Sequence, residues 1–361
     1  TVSPDLATIT PVGNPVSVET IQTSLFDQHG NAINQTVSSQ YYDTITSSLK
    51  FSSYQDITLN TYDIHNRLLS STVDNYSDTG TTFTSRELIT NSSYDVYGNA
   101  LNQVINTYQS KTTTTANLVD SKVIVNSYTD PVTGVYNAVA AYFHHTVTST
   151  VSRYNTDLPA SQSLSTMIDK TYTYSKTFDS LGNALTQSED KYVASQGSLV
   201  KTEHMDITND HYNNRGDAED QYITTYQVDG IINTLVNYQV FKNRTYDSSH
   251  QVLNQMVLTY TDSSKALLLD CKEIRSTGFT PSGVAASQTI LTYTDDKKTS
   301  IIDVKVITNS NISAGGNVGT SLITTYLNAT VSPDLATITP VGNPVSVETI
   351  QTSLFDQHGN A

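Results

Sequence analysis

A ten-residue core recurs along this chain and constrains its fold more than any other feature: aromatic–Asp–x–x–Gly–Asn–Ala–Leu/Ile–x–Gln. It reads Phe26-Asp27-Gln28-His29-Gly30-Asn31-Ala32-Ile33-Asn34-Gln35 at its first appearance. It returns as Tyr94-Asp95-Val96-Tyr97-Gly98-Asn99-Ala100-Leu101-Asn102-Gln103, and again as Phe178-Asp179-Ser180-Leu181-Gly182-Asn183-Ala184-Leu185-Thr186-Gln187. An Asp carboxylate bonds backbone N–H groups just ahead of it, and Gly and Asn tolerate positive φ. Each core therefore predicts a tight turn. Looser copies begin at Tyr62-Asp63, at Tyr212-Asn213 with Gly216, and at Tyr246-Asp247. Weaker ones hold Phe279 with Gly283, and Gly316 with Asn317 after Ile312. A distorted copy spans Tyr128 to Asn137, and Phe355, Asp356, Gly359 and Asn360 restart the cycle.

The Asp-equivalent positions run 27, 63, 95, about 130, 179, 213, 247, 280, 313 and 356, which divides the chain into nine units of 32–49 residues. A second periodicity overlies the first. Residues 330–361 repeat residues 1–32 without a difference, at an offset of 329. The short repeat crosses this seam in phase. The expected organisation is one full period of a tandem β-repeat array, 1–329, followed by the start of the next, 330–361.

Between turns the apolar positions alternate with period two. In Val252–Tyr260, one face carries Val252, Met256, Leu258 and Tyr260, and the other Leu253, Gln255, Val257 and Thr259. No stretch sustains a 3.6-residue period. Composition agrees: there are 23 Tyr, about a quarter of the chain is Ser or Thr, and the acids are 27 Asp against 7 Glu. Thr and Tyr favour strands, whereas Glu is the helix former of the two acids. An all-β protein of repeated antiparallel hairpins is predicted, with roughly 18 strands. A twisted open sheet of more than about 10 strands must curl, close or stack. The expected form is a curled, solenoid-like or tubular sheet that propagates as a filament. Pro4, Pro11 and Pro15, with their copies in 330–349, mark an edge strand, a linker or a packing arm, because proline is excluded from central strands.

At its Tyr/Phe-Asp-x-x-Gly-Asn-Ala-Leu cores the chain resembles the tyrosine–aspartate (YD, or Rhs-type) repeats of large bacterial surface and secreted proteins. The resemblance rests on Tyr94–Gln103 and Phe178–Gln187 above all. It implies β-hairpins wound into long curved sheets and, as in the toxin members of that family, a shell around a cargo. The unit here is longer than the usual YD spacing. No proline–glycine segment ending the core is visible.

The net charge of −15 argues against a nucleic-acid partner and against docking on an anionic membrane. No apolar run reaches the roughly 18 residues of a membrane helix. Nucleophile elbow, phosphate loop and HExxH are all missing, so no catalytic residue, no metal ligand and no cofactor is assigned. The acidic loop Asp210–Asp217 offers oxygens to Ca²⁺ but lacks the D-x-D-x-D-G ladder of a calcium loop. Its Arg215-Gly216-Asp217 triplet falls where the repeat already needs a turn. His144 and His145, in an alternating run, would point to opposite faces of a strand. Asn34, Asn75, Asn91, Asn243, Asn311 and Asn328 begin N-x-S/T triplets, which a Ser/Thr-rich chain produces by chance. Cys271, the single cysteine, reads as a small apolar core residue.

These readings point to a structural, non-enzymatic segment of an extracellular or cell-surface β-repeat filament whose partner is itself. The rival readings are an adhesin stalk or glycan-binding module that uses exposed Tyr, and a YD-type shell enclosing a toxin. The turn-core aromatics Phe26, Tyr62, Tyr94, Phe178, Tyr212, Tyr246, Phe279 and Phe355 are expected to stack as a buried ladder.

Overall fold

The computed structural model describes residues 17–43, 48–77, 79–247, 249–280, 282–314, 316–332 and 337–354. The first strands are β1 (Ser17–Phe26), β2 (Ala32–Asp43), β3 (Ser48–Tyr62), β4 (Leu68–Tyr76), β5 (Phe83–Tyr94) and β6 (Ala100–Tyr108). There follow β7 (Leu118–Ser127), the short helix α1 (Ala138–Tyr142), β8 (Thr148–Tyr154), β9 (Met167–Phe178), β10 (Ala184–Ser195), β11 (Ser198–Tyr212) and β12 (Ala218–Asp229). The series continues with β13 (Ile232–Tyr246), β14 (Val252–Tyr260), β15 (Leu268–Phe279), β16 (Ala285–Tyr293), β17 (Ile301–Ile312) and β18 (Val318–Tyr326). It ends with β19 (Ala329–Val331), β20 (Ile338–Pro340) and β21 (Ser346–Gln351).

Strands β1 to β18 pair in chain order, each antiparallel to the next, as nine consecutive hairpins. β21 then adds to β18, giving a 19-stranded sheet. The sheet is open: among the described residues β1 and β21 are its two edges and do not pair with each other. It curls far enough to bring β3 within 8 Å of β15, Cα to Cα. Strands make up 65% of the described residues. β-Branched and aromatic residues supply this preference, and the turns at Asp27, Asp63, Asp95, Asp179, Asn213 and Asp247 lie where the repeat core predicts them.

Burial follows the period-two pattern. In β14 the inward set is Met256, Leu258 and Tyr260. Cys271 lies opposite Leu258 and Tyr293, and Leu291 lies opposite Glu273 and Val304. These residues, with Val240 and Ile338, form the main apolar core. Ile338 arrives from the two-stranded β19–β20 hairpin, which lies over this face with Val331 and Ala329 packed alongside. In its described part, the copy at 330–349 thus forms a packing arm, β19 and β20, and an edge strand, the start of β21. Its counterpart, residues 1–16, lies outside the described residues, as do Phe355, Asp356, Gly359 and Asn360.

Three local expectations need correction. The segment Ala141–Val147 is no strand. Asn137 caps α1 by accepting from the Ala140 N–H, Ala140 and Ala141 are fully buried, and His144 takes a φ of 64°. The run of small residues packs tightly enough there to override the alternation. Gln196-Gly197-Ser198, which by its polar sequence reads as a looser loop, instead makes a tight turn, with φ of 50° and 76° at Gln196 and Gly197. Finally, the turn-core aromatics are half-buried, with Phe26 at 56% exposed. The deeply buried tyrosines are Tyr76, Tyr108, Tyr128, Tyr260 and Tyr293. Four of these end the second strand of a hairpin, at the opposite end of the sheet from the Gly-Asn turns.

Candidate structural site: the turn ridge and its latches

The repeat core builds the same turn many times. Asp27 Oδ1 accepts from the backbone N–H of His29 and of Asn31, both at 2.8 Å, and Oδ2 accepts from Asn31 Nδ2 at 2.9 Å. Asp95 does the same with Tyr97 and Asn99, and Asp179 with Leu181 and Asn183. The degenerate copies keep the geometry with other side chains. Asp63 holds the N–H groups of His65 and Arg67, and Arg67 replaces the Asn as the side-chain donor. At Asn213 the roles reverse: its Nδ2 donates to Asp217 Oδ2 at 2.9 Å. Asp247 accepts from the N–H of Ser249 and Gln251. Thr280 and Ser313 cap the last two turns through their hydroxyls, accepting from Val284 and Asn317. The Gly position always has positive φ, filled by Gly30, Gly98, Gly182, Gly216, Gly283 and Gly316, or by Asn66 and His250.

The final Gln of the core has a partner that the sequence did not disclose. It crosses the hairpin to the residue three before the aromatic. Gln103 donates to Asn91, Gln187 to Ser175, Gln221 to Asn209 and Gln288 to Ser276, at 2.8–3.0 Å. Gln35 reaches Thr23 in the same way at 3.1 Å.

A second device joins neighbouring hairpins. The hydroxyl of Tyr62 donates to the Ala32 carbonyl at 2.7 Å, the residue just past the preceding turn. Tyr94 does so to Leu68, Tyr212 to Ala184 and Tyr246 to Ala218. The same carbonyls take a side-chain amide as well: Asn60 on Ala32, Asn91 on Leu68 and Asn209 on Ala184, at 2.9–3.0 Å. Asn309 binds Ala285 likewise, without a tyrosine. At Ala32, Leu68 and Ala184 the carbonyl's two lone pairs are thus filled by one Asn and one Tyr of the next unit. The Tyr at the turn has a role of its own: its hydroxyl registers one hairpin on the one before it. Phe26 and Phe178 lack the hydroxyl.

The turns therefore line up as a ridge. Asn31 Nδ2 reaches Asn66 Oδ1 at 3.0 Å, and His250 Nδ1 meets Asp217 Oδ1. Gly216 lies so close to Asn183 that a Cβ would stand 3.0 Å from Oδ1. Between the Asp95 and Asp179 turns the ridge is bridged by the insertion around α1. Asn99 Nδ2 donates to the Ala141 carbonyl at 2.8 Å, His145 Nδ1 to the Gly182 carbonyl at 2.6 Å, and Tyr136 to Asp95 at 3.1 Å. This is the role of the two adjacent histidines, invisible in a strand reading.

The ridge commits the groups that sequence motifs would have left free. Arg215 bonds Asp217 at 3.1 Å, and Asp217 is buried against His250, so the Arg-Gly-Asp carboxylate is occupied within the fold. Asn75 and Asn91 are buried and bonded, which removes two N-x-S/T triplets as glycan acceptors. Among the described residues no group of three or more His, Cys, Asp or Glu is placed to hold a metal ion. Burial pushes the Cys271 thiol up to about 11. Among the described residues no helix is long and apolar enough to cross a membrane.

Seven of the turn aspartates are held below the usual carboxylate range. The Arg67 side chain, with the N–H groups of Arg67 and His65, holds Asp63 at about 2. The Asn31 side chain lowers Asp27. At Asp95 and Asp179 desolvation pushes upward, and the bonds from Asn99 and Asn183 outweigh it. Asp130, Asp262 and Asp295 are lowered by bonds from Thr133, Ser264 and Thr299. A carboxylate depressed in the fold stabilises above its unfolded value of about 3.9 and loses that contribution as pH falls through its folded value. Thermal stability should fall as pH drops from about 4 towards 2. Glu87 and Glu189, raised by burial, oppose this weakly. Asp63→Asn retains an acceptor, as Asn213 does, and should flatten the acid slope in a melting series.

The latch gives a second expected result. Tyr212→Phe should cost about 0.5–1 kcal/mol, because Asn209 still satisfies the Ala184 carbonyl. Adding Asn209→Ala leaves that carbonyl without a protein donor and should cost about 1–3 kcal/mol beyond the sum of the single changes. Urea titration of the four variants measures the coupling.

The missed signal was present in the sequence. Asn91, Asn209 and Asn309 stand three residues before the turn-core aromatic or its equivalent. A second tyrosine motif, Tyr-Ser/Thr-Asp, recurs at Tyr76, Tyr128, Tyr260 and Tyr293. Those residues are four of the five deeply buried tyrosines, Tyr108 being the fifth.

No family model matches this chain, and no curated protein matches it. Solved structures do. The crystal structure of TcdB2-TccC3 without its hypervariable C-terminal region matches 88% of this chain at 13% identity, with a TM-score of 0.16. TcdB2-TccC3-TEV matches 93% at 13% identity and a TM-score of 0.17. A Photorhabdus luminescens Tc holotoxin pore matches 87% at 13% identity and a TM-score of 0.13. In each case this chain covers 20% of the other chain.

Proposed function

We propose that this chain is a structural, non-enzymatic segment of an extracellular β-repeat filament, with copies of itself as partner. The observation that carries this reading is at the sheet's far edge. β21, Ser346–Gln351, has the sequence of Ser17–Gln22 in β1, and it sits on β18 in continuous antiparallel register. An element that begins the sheet also continues it. A repeat that does not close on itself generates filaments. The ridge and latches support the same reading, since each hairpin is fixed by the one before it. Stability in such an array is a sum of unit and interface terms, suited to indefinite length.

A second reading, a curled wall around a cargo, is favoured by the approach of β3 to β15. Electron microscopy of the purified chain separates the two. Long uniform filaments support the first reading. Closed hollow particles overturn it in favour of the second.

A further inference from the structure

Residues 17–22 and 346–351 are the same six residues, and only the second set has β18 as a neighbour. We infer that copies of this chain join by strand exchange, with β1 of one copy replacing β21 on β18 of another. This rests on the filament reading and names its junction.

The register defines the acceptor. Thr320 to Thr325 stand opposite Gln351 to Ser346, and Thr352 N–H donates to the Gly319 carbonyl at 2.9 Å. An incoming β1 offers the same side chains at the same positions, so the exchange loses no strand pairing. It gains length. β21 ends at Gln351, whereas β1 runs on to Phe26 and is already paired along its other side with β2. The Asp27 turn of the incoming hairpin would then follow the Ser313–Asn317 turn and extend the ridge. Among the described residues the outer edge of β1 has no partner strand, and exchange also covers its row of N–H and C=O groups, the feature that makes strand edges adhesive. Against these gains stands the tether, which gives β21 a high effective concentration at its own edge. Assembly should therefore be slow and steeply concentration-dependent, as exchange of identical elements between protomers is.

Two variants test this in the full chain. Leu322 and Thr349 stand directly opposite each other and are exposed, so Leu322→Cys with Thr349→Cys locks β21 in place when oxidised. Backbone alternation from the Thr352–Gly319 bond aims the Ile350 N–H at β18, and in the exchanged strand the identical Ile21 N–H takes its place. Ile21→Pro removes that donor and leaves the β1–β2 ladder intact. Sedimentation across a concentration series should show the unmodified chain forming head-to-tail oligomers. The oxidised lock should need roughly tenfold or more higher concentration to do so and should recover on reduction. Ile21→Pro should stay monomeric. A fluorescent peptide of sequence Ser17–Phe26 should be captured by the unlocked chain and refused by the oxidised lock. If the oxidised lock assembles like the unmodified chain, exchange is wrong and the filament reading survives. If the peptide is captured selectively but no oligomer forms, the junction stands and the filament reading falls. If the peptide is not captured, the exchange is overturned.

Discussion

Replacing Glu273 by alanine should destabilise the region β14–β17 by about 3–5 kcal/mol, the range for breaking a buried ion pair by removing one partner. Glu273 is 2% exposed on the face that carries Cys271 and Tyr293. Its Oε2 accepts from Arg275 at 2.8 Å and its Oε1 from Lys298. The Arg275 side chain is itself 11% exposed, so loss of the carboxylate leaves a largely buried guanidinium that keeps its bond to the Ile274 carbonyl but loses this counter-charge. Lys298 reaches in from the loop between β16 and β17, so the effect should include loosening of that loop. A control separates pairing from packing. Glu273→Met with Arg275→Met removes both desolvated charges and should recover most of the loss. Urea unfolding measures the total. Amide exchange in β14–β17 against β5–β7 shows whether the damage is local, as a repeat built of units and interfaces requires. Equal loosening at both ends of the sheet would contradict that picture.

Leu291→Ala should cost about 2–5 kcal/mol, the range for a buried leucine that leaves a cavity. Leu291 is fully buried, with Val304 opposite it on the next strand and Cys271, also fully buried, in the same cluster. The cost falls where in that range according to how far the site collapses. Both sides are backbone-paired strands, and Ile338 closes the cluster from outside the sheet. Little room remains for relaxation. Leu291→Met, which preserves volume, should cost less than about 1.5 kcal/mol. The Ala variant should also expose the β19–β20 hairpin to faster proteolysis, because that hairpin is held mainly by Ile338 and Val331 against this face. Protection unchanged at 329–340 in the variant would show that the hairpin is held by something else.

The sequence by itself determined the hairpins. Asp27, Asp95 and Asp179 with their Gly-Asn partners are local devices: each bonds backbone two and four residues on, so the turn is encoded within five residues. Alternation in β14 then determined which side chains share a face, because the strand period is two whatever the neighbours are. Nine units and an all-β fold follow from these alone. The degenerate copies were legible for the same reason, since Asn66 or His250 can take the positive φ of a missing Gly.

Only the tertiary structure decided which face is buried and what the repeats do for each other. The Tyr212 hydroxyl and the Asn209 amide meet on Ala184, 28 and 25 residues away, and nothing in a local pattern names that carbonyl. Tyr76, Tyr260 and Tyr293 are buried, while Phe26 at a sheet edge is mostly exposed, because burial depends on curl and on having a neighbour. The helix at Ala138–Tyr142 wins over strand alternation where Ala140 and Ala141 are fully buried and the turns at Asn99 and Gly182 stand within bonding reach of its carbonyl and of His145. The Glu273–Arg275–Lys298 group likewise exists only once β15 faces the loop after β16. Local chemistry sets turns and strand faces, since both act over a few bonds. Curl, latch and core depend on contacts between units, and these are fixed only when the sheet is assembled.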